Sequence, residues 1–280
     1  MTSLQLAVAA MLLFGLGDLV YKRGAAAGAP AHQFLMVQTW VFLPTVIVYA
    51  LVTGSLRFVP ASLWGVLAGL FILVGFYNFA ASLRSGSISI NAPVFRLSLV
   101  VTAGLAIILL GEPLTVFKIA GIGLALLAAW LLLGGPTARQ HESRESLLRI
   151  FIATLAVGIG NFVYGIGLRD GATPGSLMVA QAGVVCPLAT LFAAVLDRRI
   201  APSRAALRNA PMAAVALALA SAAMVESMAR GEASIAVPIA QMGFVVTALL
   251  GFLFLRERFT ARKGAGIAAA IGALACLAHG

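Results

Sequence analysis

Apolar residues fill this chain in ten blocks, each about the twenty residues that an α-helix needs to cross roughly 30 Å of hydrocarbon. The blocks run approximately over residues 4–22, 32–53, 61–84, 87–110, 115–134, 148–169, 175–196, 205–229, 232–255 and 260–279. Their connections are short, such as Arg84-Ser85-Gly86-Ser87 and Arg230-Gly231-Glu232. One polar stretch, Gly135 to Glu145, is long enough to be a linker, and it falls at the middle of the chain. No basic segment precedes the first block, Leu4 to Val20, so it reads as a retained spanning helix rather than a cleavable signal peptide.

The central linker invites a search for a repeat. At an offset of 143, Gly15, Gly17, Asp18, Val20 and Tyr21 fall on Gly158, Gly160, Asn161, Val163 and Tyr164, Gln38 on Gln181, and Pro44 on Pro187. At an offset of 145, Gly86, Ser89, Ile90 and Pro93 fall on Gly231, Ser234, Ile235 and Pro238. In that same frame Val100-Val101-Thr102-Ala103 falls on Val245-Val246-Thr247-Ala248, and Glu112 and Thr115 fall on Glu257 and Thr260. A five-helix unit therefore occurs twice: 1–137, a linker at 138–147, and 148–280. Because five is odd, the second unit enters the membrane from the opposite side. The expected fold is all-α and integral to the membrane, with ten transmembrane helices as two inverted five-helix repeats, a construction of secondary transporters.

Composition agrees. Of 280 residues, 61% are hydrophobic and 10% charged, with mean hydropathy +1.04, against about 25% charged in soluble domains. The net charge of +10 and pI near 10.8 do not point to nucleic acid, because the basic residues lie in short loops, where they set membrane orientation. With the amino terminus inside, one side holds Arg57, Lys118, Arg169 and Arg230, and the other holds most remaining basic residues. That bias favours both termini outside. Cys186 and Cys276 lie in apolar runs and imply no disulfide framework. There is no P-loop, and His32, His141 and His279 are dispersed without metal-ligand spacing, so neither a metal, a cofactor nor an enzymatic activity is expected.

The chemistry lies in polar groups within spans. Asp18, Arg96 and Glu226 each interrupt an apolar block, and intramembrane charges mark packing pairs or solute paths. Asp18 near the end of the first span and Arg96 within the fourth lie toward one face, about 6 and 13 Å deep at 1.5 Å per residue. They form the better pair. Glu226, toward the other face, is left as the odd charge and the candidate for proton coupling. Asp18 and Tyr21 share a helix face, as do Asn161 and Tyr164. Tyr77, Asn78, Asn91 and Gln241, the repeat counterpart of Arg96, complete the candidate substrate-binding set. Pro93 and Pro238 each remove a backbone donor and are expected to kink their helices into a bent cavity wall. Gly65, Gly69 and the stripe from Gly264 to Ala275 form narrow faces that suit close packing within the bundle or in a homodimer.

Asn78-Phe79-Ala80-Ala81-Ser82-Leu83, Ala92-Pro93-Val94 and Gly111-Glu112-Pro113-Leu114-Thr115 resemble the EamA-type exporters of the drug/metabolite transporter superfamily. The second half repeats the pattern with Pro238 and Arg256-Glu257-Arg258-Phe259-Thr260. The resemblance implies ten helices in two inverted repeats around a cavity that would hold Asp18, Asn78, Asn91, Arg96, Asn161, Glu226 and Gln241. It also implies both termini inside. Many members carry Trp-Gly where this chain has Phe14-Gly15, followed by Asp18, so the solute is not inherited with the fold. Glu112 and Glu257 are assigned structural roles at helix junctions, where Thr115 and Thr260 can cap the next helix.

These features lead to a secondary transporter, expected to export small polar or amphipathic metabolites such as amino acids. Efflux of lipophilic cations is an alternative, and a non-transport membrane scaffold or lipid-modifying enzyme a third. The expected partners are a small-molecule substrate and membrane lipids, not nucleic acid. The expected location is a bacterial inner membrane.

Overall fold

The computed structural model describes residues 1–82, 88–134, 143–254 and 260–280, which contain twelve α-helices and one short 3-10 turn. The helices are α1 Ser3–Ala26, α2 Ala31–Val52, α3 Leu63–Ser82, α4 Ile88–Arg96, α5 Ser98–Leu110, α6 Val116–Leu133, α7 Arg144–Arg169, α8 Pro174–Asp197, α9 Arg204–Arg230, α10 Ala233–Gln241, α11 Gly243–Phe254 and α12 Ala261–Ala278. Among the described residues ten spans are long and apolar enough to cross a membrane. Several helices start where hydroxyl side chains follow loops. Thr2, Thr115, Ser143, Thr173, Ser203 and Thr260 each accept a backbone N–H from the first turn, satisfying a donor that the helix itself leaves orphaned. The caps foreseen at Thr115 and Thr260 are both present.

The fourth and ninth spans were expected to kink at Pro93 and Pro238, and the structure breaks them instead. Each is two helices, α4–α5 and α10–α11, broken at Leu97 and at Met242. The breaks are equivalent in the repeat. Leu97 N–H bonds Val94 O at 3.0 Å, and Met242 N–H bonds Ile239 O at 3.1 Å, so each break is a tightened three-residue turn. The helix runs through Pro93 and through Pro238 and gives way four residues later, which places the discontinuity at Arg96 and Gln241 rather than at the prolines.

The heaviest helix pairings all join one half to the other: α1 with α9, α3 with α7, α2 with α8 and α6 with α12. The pairing of α1 with α11 has its repeat counterpart in α7 with α5. A Cβ on Gly15 would lie 2.4 Å from Val246 Cβ and 2.7 Å from Gly243 O. A Cβ on Gly158 would lie 2.5 Å from Val101 Cβ and 2.9 Å from Ser98 O. These are the same contacts, made twice. Thr247 then donates to Gly15 O at 3.1 Å, and Thr102 to Gly158 O at 2.9 Å. The repeated glycines and the repeated Val-Val-Thr-Ala thus form two equivalent seams, each binding a straight helix to a broken one. The Gly65–Gly69 face is also used within the chain, against Leu177, Gln181 and Val185 of α8.

Ten spans place both termini on one side, called here the termini face, together with the α5–α6 and α9–α10 junctions. The connection between α6 and α7 lies on the opposite, linker face. Most of that linker, 135–142, lies outside the described residues, as does Glu257.

Candidate functional site

Where α4 meets α5, the last residue of α4 is Arg96. Its guanidinium is one-fifth exposed and reaches three groups from three other helical segments. Nη2 lies 3.6 Å from an Asp18 carboxylate oxygen on α1. Nη1 lies 3.5 Å from both the backbone carbonyl and the side-chain oxygen of Gln241, the last residue of α10. The guanidinium carbon stands 5.4 Å from the ring centroid of Phe244 on α11, a cation–π arrangement. Both breaks therefore converge on one cation. A helix break leaves carbonyl oxygens without an intrahelical donor, and the Gln241 carbonyl is turned toward the guanidinium from its own break. Contacts of 3.5–3.6 Å are long for direct hydrogen bonds. They hold Arg96 in place while leaving its donors able to turn to a ligand.

The Asp18–Arg96 pair expected from depth is present, and Gln241 joins it. Asp18 is more open, with 41% of its side chain exposed. Phe244, buried to 1% exposure, was missed from the sequence because it looks like any other aromatic in an apolar block.

The remaining candidates are dispersed around this centre. Tyr21 donates to Gln38 and stacks on Phe34, 4.7 Å between centroids, toward the linker face. Tyr77 packs edge-on against Phe192 at 5.1 Å, and Asn78 donates to the Val74 carbonyl of its own helix. Asn91 is wholly buried. Its amide nitrogen donates to Ser82 O at 3.2 Å, Ser82 Oγ at 3.1 Å and Ser146 Oγ at 2.9 Å. It ties the end of α3 to the start of α7, and its Oδ1 is left without a partner. Asn161 and Tyr164 are buried in α7, the tyrosine within the central apolar cluster.

Glu226 is not the odd charge that its isolation in the sequence suggested. One carboxylate oxygen accepts Tyr49 Oη–H at 2.8 Å, and the other accepts Arg230 Nη2–H at 3.0 Å, one helical turn on. Arg230 also donates to the Met1 carbonyl. In sequence Arg230 lies beside a loop, but its i,i+4 spacing from Glu226 brings the two together on one helix face.

Lys118 is a second correction. Counted among loop charges, it is wholly buried at the first turn of α6, where its ammonium donates to Pro113 O at 2.7 Å and pairs with Glu232. Beside it Glu112 fills the structural role expected of it. Its two carboxylate oxygens accept Ala233 N–H at 2.9 Å and Ser234 N–H at 2.8 Å, capping α10 from the other half of the chain. His32, in the first turn of α2, pairs with Asp197 at 2.9 Å, while Gln33 binds the other oxygen of Asp197 at 2.7 Å. Among the described residues no cluster of His, Cys, Asp and Glu suits a metal ion.

Comparison with known proteins places this geometry. No curated protein matches the sequence. One solved crystal structure of a protein superposes with a TM-score of 0.78 at 18% identity, over 98% of this chain and 95% of that one, a likeness of fold alone. The profile of the EamA-like transporter family matches twice, at residues 1–134 and 145–278, once for each set of five spans. The chain is thus an integral membrane protein of the EamA-like transporter family, within the drug/metabolite transporter superfamily, with that family's two-repeat fold.

Proposed function

We propose that this transporter moves a small metabolite carrying a carboxylate, amino acids and their relatives first, by alternating access to the Arg96 site, and that it works as an exporter. The observation that carries this reading is the convergence of both helix breaks on Arg96. Sites of this kind, at the interface of inverted repeats and made from discontinuous helices, hold solutes that either side can reach as one half rocks on the other. Arg96 presents planar N–H donors matched to a carboxylate, and the adjoining Asp18 suits the ammonium group of the same solute. The half-open Asp18 with Tyr21 and Phe244 nearby also favours, second, a lipophilic cation as cargo.

Proton coupling through Glu226 belongs to the proposal. Its support is a carboxylate inside a span, held between Tyr49 and Arg230. A Glu226→Gln variant that keeps full pH-gradient-driven flux removes it. A bacterial inner membrane is the proposed location, with 1–137 and 148–280 as the two repeats.

The deciding experiment compares metabolites in the medium of cells expressing the wild type or an equally abundant Arg96→Ala variant. A carboxylate-bearing metabolite that accumulates outside only with the wild type supports the proposal. Matching media, with raised tolerance of lipophilic cations that survives Arg96→Ala, replace it with the drug-efflux reading.

A further inference from the structure

The seam between α3 and α7 has an outward side that the Arg96 site does not use. The two helices pack antiparallel, and small residues bring them close. A Cβ on Gly75 would lie 2.4 Å from Val157 Cγ2, and one on Gly160 would lie 2.9 Å from Ile72 Cγ1 and 3.2 Å from the Ala68 carbonyl. Along this seam runs a groove of about 350 Å³, walled by Leu67, Leu70 and Val74 of α3 and by Ile152, Leu155 and Ile159 of α7. Every residue that lines it is apolar. Leu67, Leu70, Val74 and Ile152 are between 37% and 46% exposed. Both helices are apolar enough to span the membrane, so the groove opens on hydrocarbon.

One end of the groove is cationic. On α3 the wall continues from Val74 to Tyr77, and on α7 from Ile152 back to Arg149, each three residues nearer the linker face. Tyr77 and Arg149 make a minor electrostatic contact across the two helices. Arg149 also lies 2.8 Å from Glu145, one turn earlier, whose side chain is 64% exposed. An exposed pair at this spacing is weak, so the guanidinium is free to exchange its acid for another anion. Arg144, the first residue of α7, is exposed, which leaves two cations against one acid. The other end is different. Beyond Leu67, Trp64 donates to Asp170 at 2.7 Å, and Arg169 is turned to the Leu110 carbonyl. From Tyr77 to Leu67 the groove runs about 15 Å at 1.5 Å per residue, half of the roughly 30 Å of hydrocarbon.

We propose that this groove binds one anionic phospholipid from the linker-face leaflet, with an acyl chain between α3 and α7 and the phosphate on Arg149, beside Arg144 and the Tyr77 hydroxyl. A guanidinium matches a phosphate with parallel N–H donors, and its apolar stem lets it reach headgroup level from within the span. The cationic end and the one-leaflet length select a lipid as the occupant. The net positive charge of that end selects an anionic headgroup over a zwitterionic one. The lipid touches α3 of the first half and α7 of the second, so it bears on how the halves pack. It goes beyond the transport function proposed above and does not depend on the solute.

The test titrates the purified full chain in detergent with phosphatidylglycerol or with phosphatidylcholine of the same acyl chains, and reads the first bound lipid by native mass spectrometry. The wild type should prefer phosphatidylglycerol by about fivefold or more, the worth of one basic residue at an anionic headgroup. Arg149→Gln should abolish that preference. Glu145→Gln removes the competing acid and should raise it by about twofold. Val74→Trp fills the groove from an exposed position and should weaken the first binding of phosphatidylglycerol severalfold, with Leu70→Trp as the substitute should that variant fail to fold. Arg208→Gln, at an exposed cation in the part of α9 that packs on α1 and α2, should leave the preference intact. A wild type without preference overturns the site, as does a preference that survives both Arg149→Gln and Val74→Trp. Equal losses in Arg149→Gln and Arg208→Gln also overturn it, assigning the preference to the general charge of the linker face. Lipid binding needs no solute, so failure of the transport reading leaves this result standing.

Discussion

The two broken spans occupy equivalent places in the two repeats, and they differ at a few polar positions. Both carry proline four residues before the break, both contribute the residue at the break to one site, and both pack a straight helix along a Gly/Val/Thr seam. The first-half copy ends in a cation and its counterpart in an amide: Arg96 donates, and Gln241 accepts. The first-half copy is tied at its start by a neutral cluster of Asn91, Ser82 and Ser146. The second-half copy is tied by carboxylates and a buried ammonium. Symmetry built the scaffold. Departures from symmetry at a few polar positions make the two ends chemically distinct.

The strongest way to break the comparison is to attack the seams. Gly15→Leu and Gly158→Leu each force a side chain into space already held by a valine Cβ and a backbone oxygen. Overpacking of this kind costs about 1–3 kcal/mol or more. Both variants should lose most of their monodisperse fraction on size exclusion and do so to a similar degree. Gly104→Ala, where a Cβ meets nothing within 4 Å, should behave as wild type. Unequal losses at Gly15 and Gly158 would show that the two seams are not energetic equals.

Next in size is the site itself. Arg96→Ala should reduce flux in reconstituted vesicles by about tenfold to a hundredfold, since hydrogen bonds to charged groups are worth about 1.5–3 kcal/mol. Gln241→Ala should cost only severalfold, because it removes an acceptor to Arg96 rather than the cation. Equal losses would make Gln241 a direct ligand in its own right.

Smaller effects separate the two ties. Glu112→Ala strips two buried N–H groups of their acceptor, and each such loss costs about 1–3 kcal/mol. It should lower the thermal midpoint in detergent more than Asn91→Ala does. Asn91 already carries an unpartnered oxygen, which offsets part of what its removal loses. If Asn91→Ala proves the more harmful, the first-half tie is the dominant one.

The smallest predicted effect concerns the termini face. Glu226→Gln keeps an acceptor for Tyr49 and loses the ion pair with Arg230, which is half exposed. Exposed pairs at this spacing contribute about 0.3–0.5 kcal/mol, so the thermal midpoint should hardly move. Any loss of pH-gradient-driven flux in that variant then reports on coupling rather than on folding.

Much of this was legible beforehand, and for a definite reason. Hydrocarbon forces each span to satisfy its own backbone, so length and apolarity reveal the helices one at a time. The offset of identities reveals the repeat, and depth along two helices sufficed to pair Asp18 with Arg96. Errors arose where a side chain crosses to a neighbouring helix. Lys118 looked like a loop charge and is buried, because Glu232 lies 114 residues away in sequence and adjacent in space. Glu226 looked unpaired because Tyr49 comes from the other half. The breaks were displaced from the prolines by one turn, which no local pattern announces.

What the sequence by itself determined is the list of spans, their doubling, their inversion and the charge at Arg96, since each depends on hydrophobicity, register or parity. What only the tertiary structure decided is that the principal helix pairings run between the halves, that both breaks face one guanidinium, and that Glu112 and Lys118 of one half bind the start of α10 in the other. Those properties belong to contacts between helices remote in sequence, and in lipid it is close packing and polar pairing between helices, rather than burial from water, that decides which of them meet.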